Sequence, residues 1–194
     1  RHQMRFDLSE ADIRKKMDGY ALKHSVTGSN DIVGLVDTML GGNGAFVSTV
    51  EKMRVGVPVG GMSPVSDMET GGASYFFTRL AKHPGKERGS EGFYFKVDML
   101  RRMDAISYDH DAFGKVIGTY VEEHRYSTVE EWKRIHNRHG NETIFKYSVT
   151  LLDNIDTIVV RTAQMKQRLL GVFQKHGITR LPDGRAVGQI ILVQ

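Results

Sequence analysis

The sequence predicts a single α+β domain built on a mixed β-sheet. Three observations carry that expectation. A chain of 194 residues can bury one good core and is short for two. Strand-like and helix-like segments do not alternate regularly, which argues against a doubly wound parallel sheet. Several strands fall in the second half with little helix between them, as in a mixed α+β domain.

The elements follow from periodicity and caps. Residues 6–18, "FDLSEADIRKKMD", space Phe6, Ile13 and Met17 for a short amphipathic helix. "GYALKHSV" (19–26) reads as a strand with Tyr20, Leu22, His24 and Val26 on one face. Ser29 or Asn30 then caps a helix striped by Ile32, Leu35, Val36, Met39 and Leu40, which Gly41-Gly42 ends. Residues 53–72 are glycine-rich with two prolines and read as loop. "ASYFFTRL" (73–80) and "FYFKVDML" (93–100) read as strands either side of a polar loop, while 101–125 resists assignment. Ser127 and Glu130 form a capping box for a helix carrying Trp132 and Ile135. "HGNETIFKYSV" (139–149) reads as one strand. Thr143, Phe145, Tyr147 and Val149 form its core face, and Glu142 stands on the other face at its mouth. "IDTIVV" (155–160), a helix over 163–177 stopped by Gly177, and a final strand "RAVGQIILV" after "LPDG" complete the chain.

Composition narrows the function classes. With no cysteine there are no disulfides, thiolate nucleophiles or sulfur-ligated zinc. No apolar run approaches the roughly 18–20 residues that span a bilayer, and no signal peptide is expected. The chain starts at Arg1, so it is expected to be excised from a larger protein. The net charge of +4 permits an anionic partner without requiring one.

Common motifs fail. "GGNGAF" and "VGVPVGGM" lack the Gly-Lys-Ser/Thr ending and the dinucleotide spacing, so turns explain them better. His124, His136 and His139 lack further ligands at metal spacing, so no metal is expected. No Gly-x-Ser-x-Gly elbow supports a serine nucleophile.

Three features in order survive. "LKHSVTG" leads into a capped helix and "NGAFVST"; "GGASYFFTRL" opens a strand on glycines with Tyr75 near its start; "GNETIFKYSV" carries Glu142. In this order the chain resembles the ADP-ribosyltransferase superfamily, in the His-Tyr-Glu branch of poly(ADP-ribose) polymerases and bacterial toxin domains. The resemblance spans roughly residues 20–150.

It implies a split mixed β-sheet with flanking helices that binds NAD⁺ as co-substrate. His24 would hydrogen-bond a ribose hydroxyl, with Ser25 and Thr27 along the same edge. Tyr75 would stack on nicotinamide, and Glu142 would engage the nicotinamide ribose. Arg54 and Arg79 are candidate pyrophosphate partners, since guanidinium matches phosphate oxygens bidentately. Gly140 stands where arginine-modifying relatives carry Gln or Glu, so protein arginine is not the expected acceptor. The implied activity is transfer of ADP-ribose to a protein or nucleic-acid acceptor by a bacterial toxin or effector. Such a domain would act in the cytoplasm or be delivered into a target cell, and an immunity protein is a further expected partner. Two alternatives stay open: an NAD⁺ glycohydrolase on the same fold, and a silent nucleic-acid-binding module using Arg125, Lys133, Arg134 and Arg138.

Overall fold

A computed structural model describes residues 10–26, 31–54, 72–84, 91–102, 104–108, 129–136 and 140–194. Thr27, Phe6, the proposed caps Ser29, Asn30 and Ser127, most of the 53–72 loop, Arg125, Arg138, His124 and His139 lie outside them.

The elements run α1 (Glu10–Lys16), β1 (Tyr20–Ser25), α2 (Ile32–Gly41), β2 (Ala45–Val47), α3 (Thr49–Arg54), β3 (Tyr75–Lys82), β4 (Gly92–Phe95) and β5 (Ile106–Tyr108). They continue with α4 (Val129–His136), β6 (Glu142–Lys146), β7 (Ser148–Thr150), α5 (Leu151–Asn154), β8 (Ile155–Val160), α6 (Ala163–Lys175), α7 (Val187–Ile190) and β9 (Ile191–Val193). Helices flank a mixed sheet, so the fold class is α+β as expected. Among the described residues no helix is long and apolar enough to cross a membrane.

The chain divides into two compact units. The first draws on Arg1–Asp18, Val47–Leu80 and Val97–Val149. Its strands lie in the order β5-β6-β3, antiparallel throughout. Ile13 of α1 and Met17 just after it are buried as their spacing predicts, and Trp132 of α4 is fully buried. The strand predicted over 93–100 stops at Phe95, and Val97–Arg101 coil into a 3₁₀ turn. That turn buries Val97, Met99 and Leu100 while Asp98 accepts from Arg14 Nε at 2.8 Å.

The strand predicted over 139–149 also breaks. Tyr147 has a φ of 68°, the one positive value on a non-glycine residue among those described. The reversal turns its ring out to 47% exposure while Phe145 and Val149 stay buried, so Tyr147 is not core. Tertiary bonds hold the break: Tyr147 N donates to Ser74 O and Tyr147 O accepts from Ser48 N, each at 2.7 Å. Arg102 reaches the carbonyls on both sides, Ser148 O at 2.8 Å and Lys146 O at 3.1 Å.

The second unit comprises Gly19–Phe46, Ala81–Lys96 and Thr150–Gln194. Its strands run β1-β4-β8-β9, with the last pair parallel and the others antiparallel. Central β4 is buried along its whole length, including Phe93, Tyr94 and Phe95. Burying each aromatic ring contributes about 2–3 kcal/mol. Helix α2 is capped by Asp31, whose Oδ1 accepts from Val33 N at 3.0 Å, rather than by Ser29 or Asn30. It buries Ile32, Val33, Val36 and Met39; Leu35, expected in the stripe, is exposed. Its Asp37 accepts from Lys175 Nζ at 3.1 Å and bonds His176 Nε2 at 2.7 Å at the end of α6. Thr162 caps α6 on Met165 N, and Gly177 at φ 74° stops it as predicted. The final strand is shorter than predicted because Gln189 Oε1 accepts from Ala186 N at 2.8 Å, closing the single turn of α7 ahead of β9.

A polar network ties β8 to the loop before α7. Arg185 donates to the carbonyls of Asp156 and Ile155 at 2.7 Å each, and through Nε to Asp183 at 2.8 Å. Lys96 Nζ also donates to Asp183 at 2.8 Å, and Asp156 pairs with His83 and accepts from Thr157.

Candidate active site

Glu142 is the first residue of β6, and its placement is built from its neighbours. Gly140 takes a left-handed φ of 73°, which brings the chain into the strand at low steric cost. Asn141 follows, 3% exposed, with its side-chain amide bonded twice to the main chain of Leu80. Thr143, fully buried, accepts at its carbonyl from Thr78 Oγ1 at 2.7 Å and shares a 3.0 Å bond with Ser107 Oγ. These polar side chains lie on one face of the strand. Alternation puts Glu142 on the other, across from Tyr108 of β5, where it is half-buried.

On that face β3 presents Tyr75, Phe77 and Arg79. Tyr75 pairs with Lys146 and Phe77 with Ile144. Tyr75 and Phe77 pack on the buried cluster of Ile106, Tyr108 and Ile144, while Phe76 points to the opposite face, as its alternation with Tyr75 predicts. Arg79 is exposed, and the register continued past Thr78↔Thr143 brings it level with Glu142. Tyr75 sits four residues further along, about 13 Å at ~3.3 Å per residue. One end of this face therefore carries a carboxylate and a guanidinium, and the other end carries the phenol. Arg54 ends α3 and donates from Nε to Glu51 at 3.0 Å, an exposed ion pair.

His24 and Ser25 close β1 in the second unit, paired with Phe93 and Gly92. The His24 ring stands edge-on to Phe46, centroids 5.5 Å apart, and Phe46 packs on Phe93 at 4.7 Å and Phe95 at 5.4 Å. The aromatic residue in "NGAFVST" is thus a wedge that sets the imidazole. Lys23 points to the opposite face, 6% exposed, with its ammonium 5.4 Å from the Tyr94 ring centroid. Ser25 is exposed.

Three further residues support the candidate residues beside them: Asn141, Phe46 and Gly92. At Gly92, φ is 157° and a Cβ would fall 2.7 Å from His24 O and 3.2 Å from Ser25 Cα. A Gly immediately before an aromatic strand was the available signal for close backbone approach.

No protein-family model matches the chain, and no curated protein does. Among solved structures it is similar to DarT from Thermus sp. 2.9 in complex with carba-NAD⁺, at 8% sequence identity and a TM-score of 0.55. The superposition covers 91% of this chain and 96% of that one. A likeness of that extent at so low an identity is a statement about architecture, and the architecture is an ADP-ribosyltransferase fold.

Proposed function

We propose that this protein is an NAD⁺-dependent ADP-ribosyltransferase that modifies a macromolecular acceptor, and that it acts as a bacterial toxin or effector domain. The observation that carries the reading is Glu142 at the mouth of β6, anchored from below and level with Arg79, on a chain whose fold matches a structure holding an NAD⁺ analogue.

The chemistry asks for these groups. Breaking the nicotinamide–ribose bond develops oxocarbenium character on the sugar, as in glycoside transfer. A carboxylate fixed beside that carbon stabilises the charge and orients the incoming nucleophile. Glu142 takes this role, and Arg79 meets the pyrophosphate through its fork of donors. Tyr75 stacks on the flat pyridinium, worth roughly 0.5–2 kcal/mol. His24 and Ser25 hydrogen-bond the ribose, and Arg54 stands in reserve for the phosphates. The acceptor is a protein side chain or a nucleic acid, with arginine disfavoured by Gly140, and an immunity protein is the natural antagonist.

Incubation with labelled NAD⁺ and cell lysate tests the proposal. Label should enter a macromolecule and be released selectively by protease, DNase or RNase. Glu142→Ala should reduce transfer at least about 100-fold. Free ADP-ribose without added lysate would instead mark a glycohydrolase. Salt-sensitive nucleic-acid binding without NAD⁺ binding would mark a silent module.

A further inference from the structure

We propose that Asn141 is the positioning residue for Glu142, its side-chain amide replacing a backbone ladder pair and pinning the mouth of β6 to β3. This rests on the reading of Glu142 as the reacting carboxylate.

Oδ1 of Asn141 accepts from Leu80 N at 2.9 Å, and Nδ2 donates to Leu80 O at 3.2 Å. The pairs from Tyr75↔Lys146 to Thr78↔Thr143, continued two steps, set Leu80 across from Asn141. The position that would next exchange main-chain bonds is thus satisfied by a side chain. A primary amide carries one acceptor and one donor group on a single plane, as a peptide does. It therefore completes both polar groups of Leu80 together. Leu80 is 1% exposed and Asn141 3%, so truncation would leave both main-chain groups buried and unmet.

The consequence falls on Glu142. Just before Asn141 the chain turns through left-handed Gly140, which imposes little restraint of its own. Just after Glu142, Thr143 is tied to Thr78 and Ser107. Glu142 is held between a sidewise bond on each flank, and without Asn141 the flank nearer the turn is released. The Asn141 amide is turned onto the Leu80 main chain, so through this pair it acts on the chemistry by way of the backbone of Glu142. Aspartate cannot substitute, because its second oxygen would face the Leu80 carbonyl with a lone pair.

The test is a kinetic cycle on the whole chain, following nicotinamide release from NAD⁺ with lysate as acceptor source. Asn141→Ala and the isosteric Asn141→Asp should each lower kcat about 10- to 100-fold. KM for NAD⁺ should stay within about twofold, since binding is not the affected step. In a Glu142→Asp background, where the carboxylate is already displaced, Asn141→Ala should cost less than about threefold more. Losses that multiply, a raised KM with kcat intact, or full activity in both Asn141 variants would each overturn the proposal. If the alanine variant fails to fold, the aspartate variant decides, with its circular dichroism checked against the parent. Full activity in Glu142→Ala is a separate result that sinks the assignment of the carboxylate itself.

Discussion

At Gly92 the main chain of β4 meets the main chain of β1 so closely that a methyl group would lie 2.7 Å from the His24 carbonyl. The obstacle is backbone on both sides, so no side chain can rotate away. Gly92→Ala should therefore destabilise the protein by about 1–3 kcal/mol, read from the urea midpoint. It should also weaken NAD⁺ binding in calorimetry by shifting His24. An unchanged midpoint would show that β1 and β4 part easily. Tyr147 is the converse case. A left-handed φ of 68° costs an L-residue about 1–2 kcal/mol, and a ring 47% exposed returns little through burial. Tyr147→Gly should raise stability by about 1 kcal/mol in the same measurement. A loss instead would mean that the ring contributes packing its exposure conceals.

At the level of elements, the corner between β6 and β7 is organised by Arg102. Its guanidinium donates to Ser148 O and Lys146 O, holds Asp104 through Nε at 2.9 Å and Nη2 at 2.6 Å, and lies 5.3 Å from the Phe145 ring centroid. Asp104 in turn accepts from Lys146 N at 3.1 Å. A lysine keeps the charge but not the planar fork, so Arg102→Lys is not conservative here. We expect it to cost about 1–3 kcal/mol by denaturant unfolding. Parent-like stability would show the corner to be held by the Tyr147 main-chain bonds alone.

Across the whole molecule, acid stability should depend on two aspartates of the second unit. Burial pushes Asp183 up, but its bonds from Lys96 and Arg185 hold it well below the usual carboxylate range. Burial likewise raises Asp156, and His83, Thr157 and Arg185 more than reverse it. A depressed folded value means these charges stabilise the native state fully above the ordinary aspartate value of about 3.9, and that the contribution fades as pH falls below it. Asp183→Asn should therefore lower Tm at pH 7 and reduce the fall in Tm between about pH 4 and pH 2, where the parent loses this contribution. An acid limb parallel to the parent's would place the sensitivity elsewhere.

The sequence by itself determined the elements whose signals are local. Alternation marks β1 and β3, a short apolar run marks β8, the apolar spacing and Gly177 mark α6, and a carboxylate at the mouth of β6 is visible as residues. Tertiary structure alone decided the rest. Val97–Arg101 coil because three buried side chains fit a turn there, and β6 stops at Tyr147 because Ser48, Ser74 and Arg102 bind that stretch of main chain. Asn141 meets Leu80 across 61 residues, and Gly92 meets His24 across a strand pairing. Periodicity records which face a residue takes, because that depends on the dihedral repeat of its own segment. It carries no record of which distant backbone will be pressed against that face, because register is set only when strands pair.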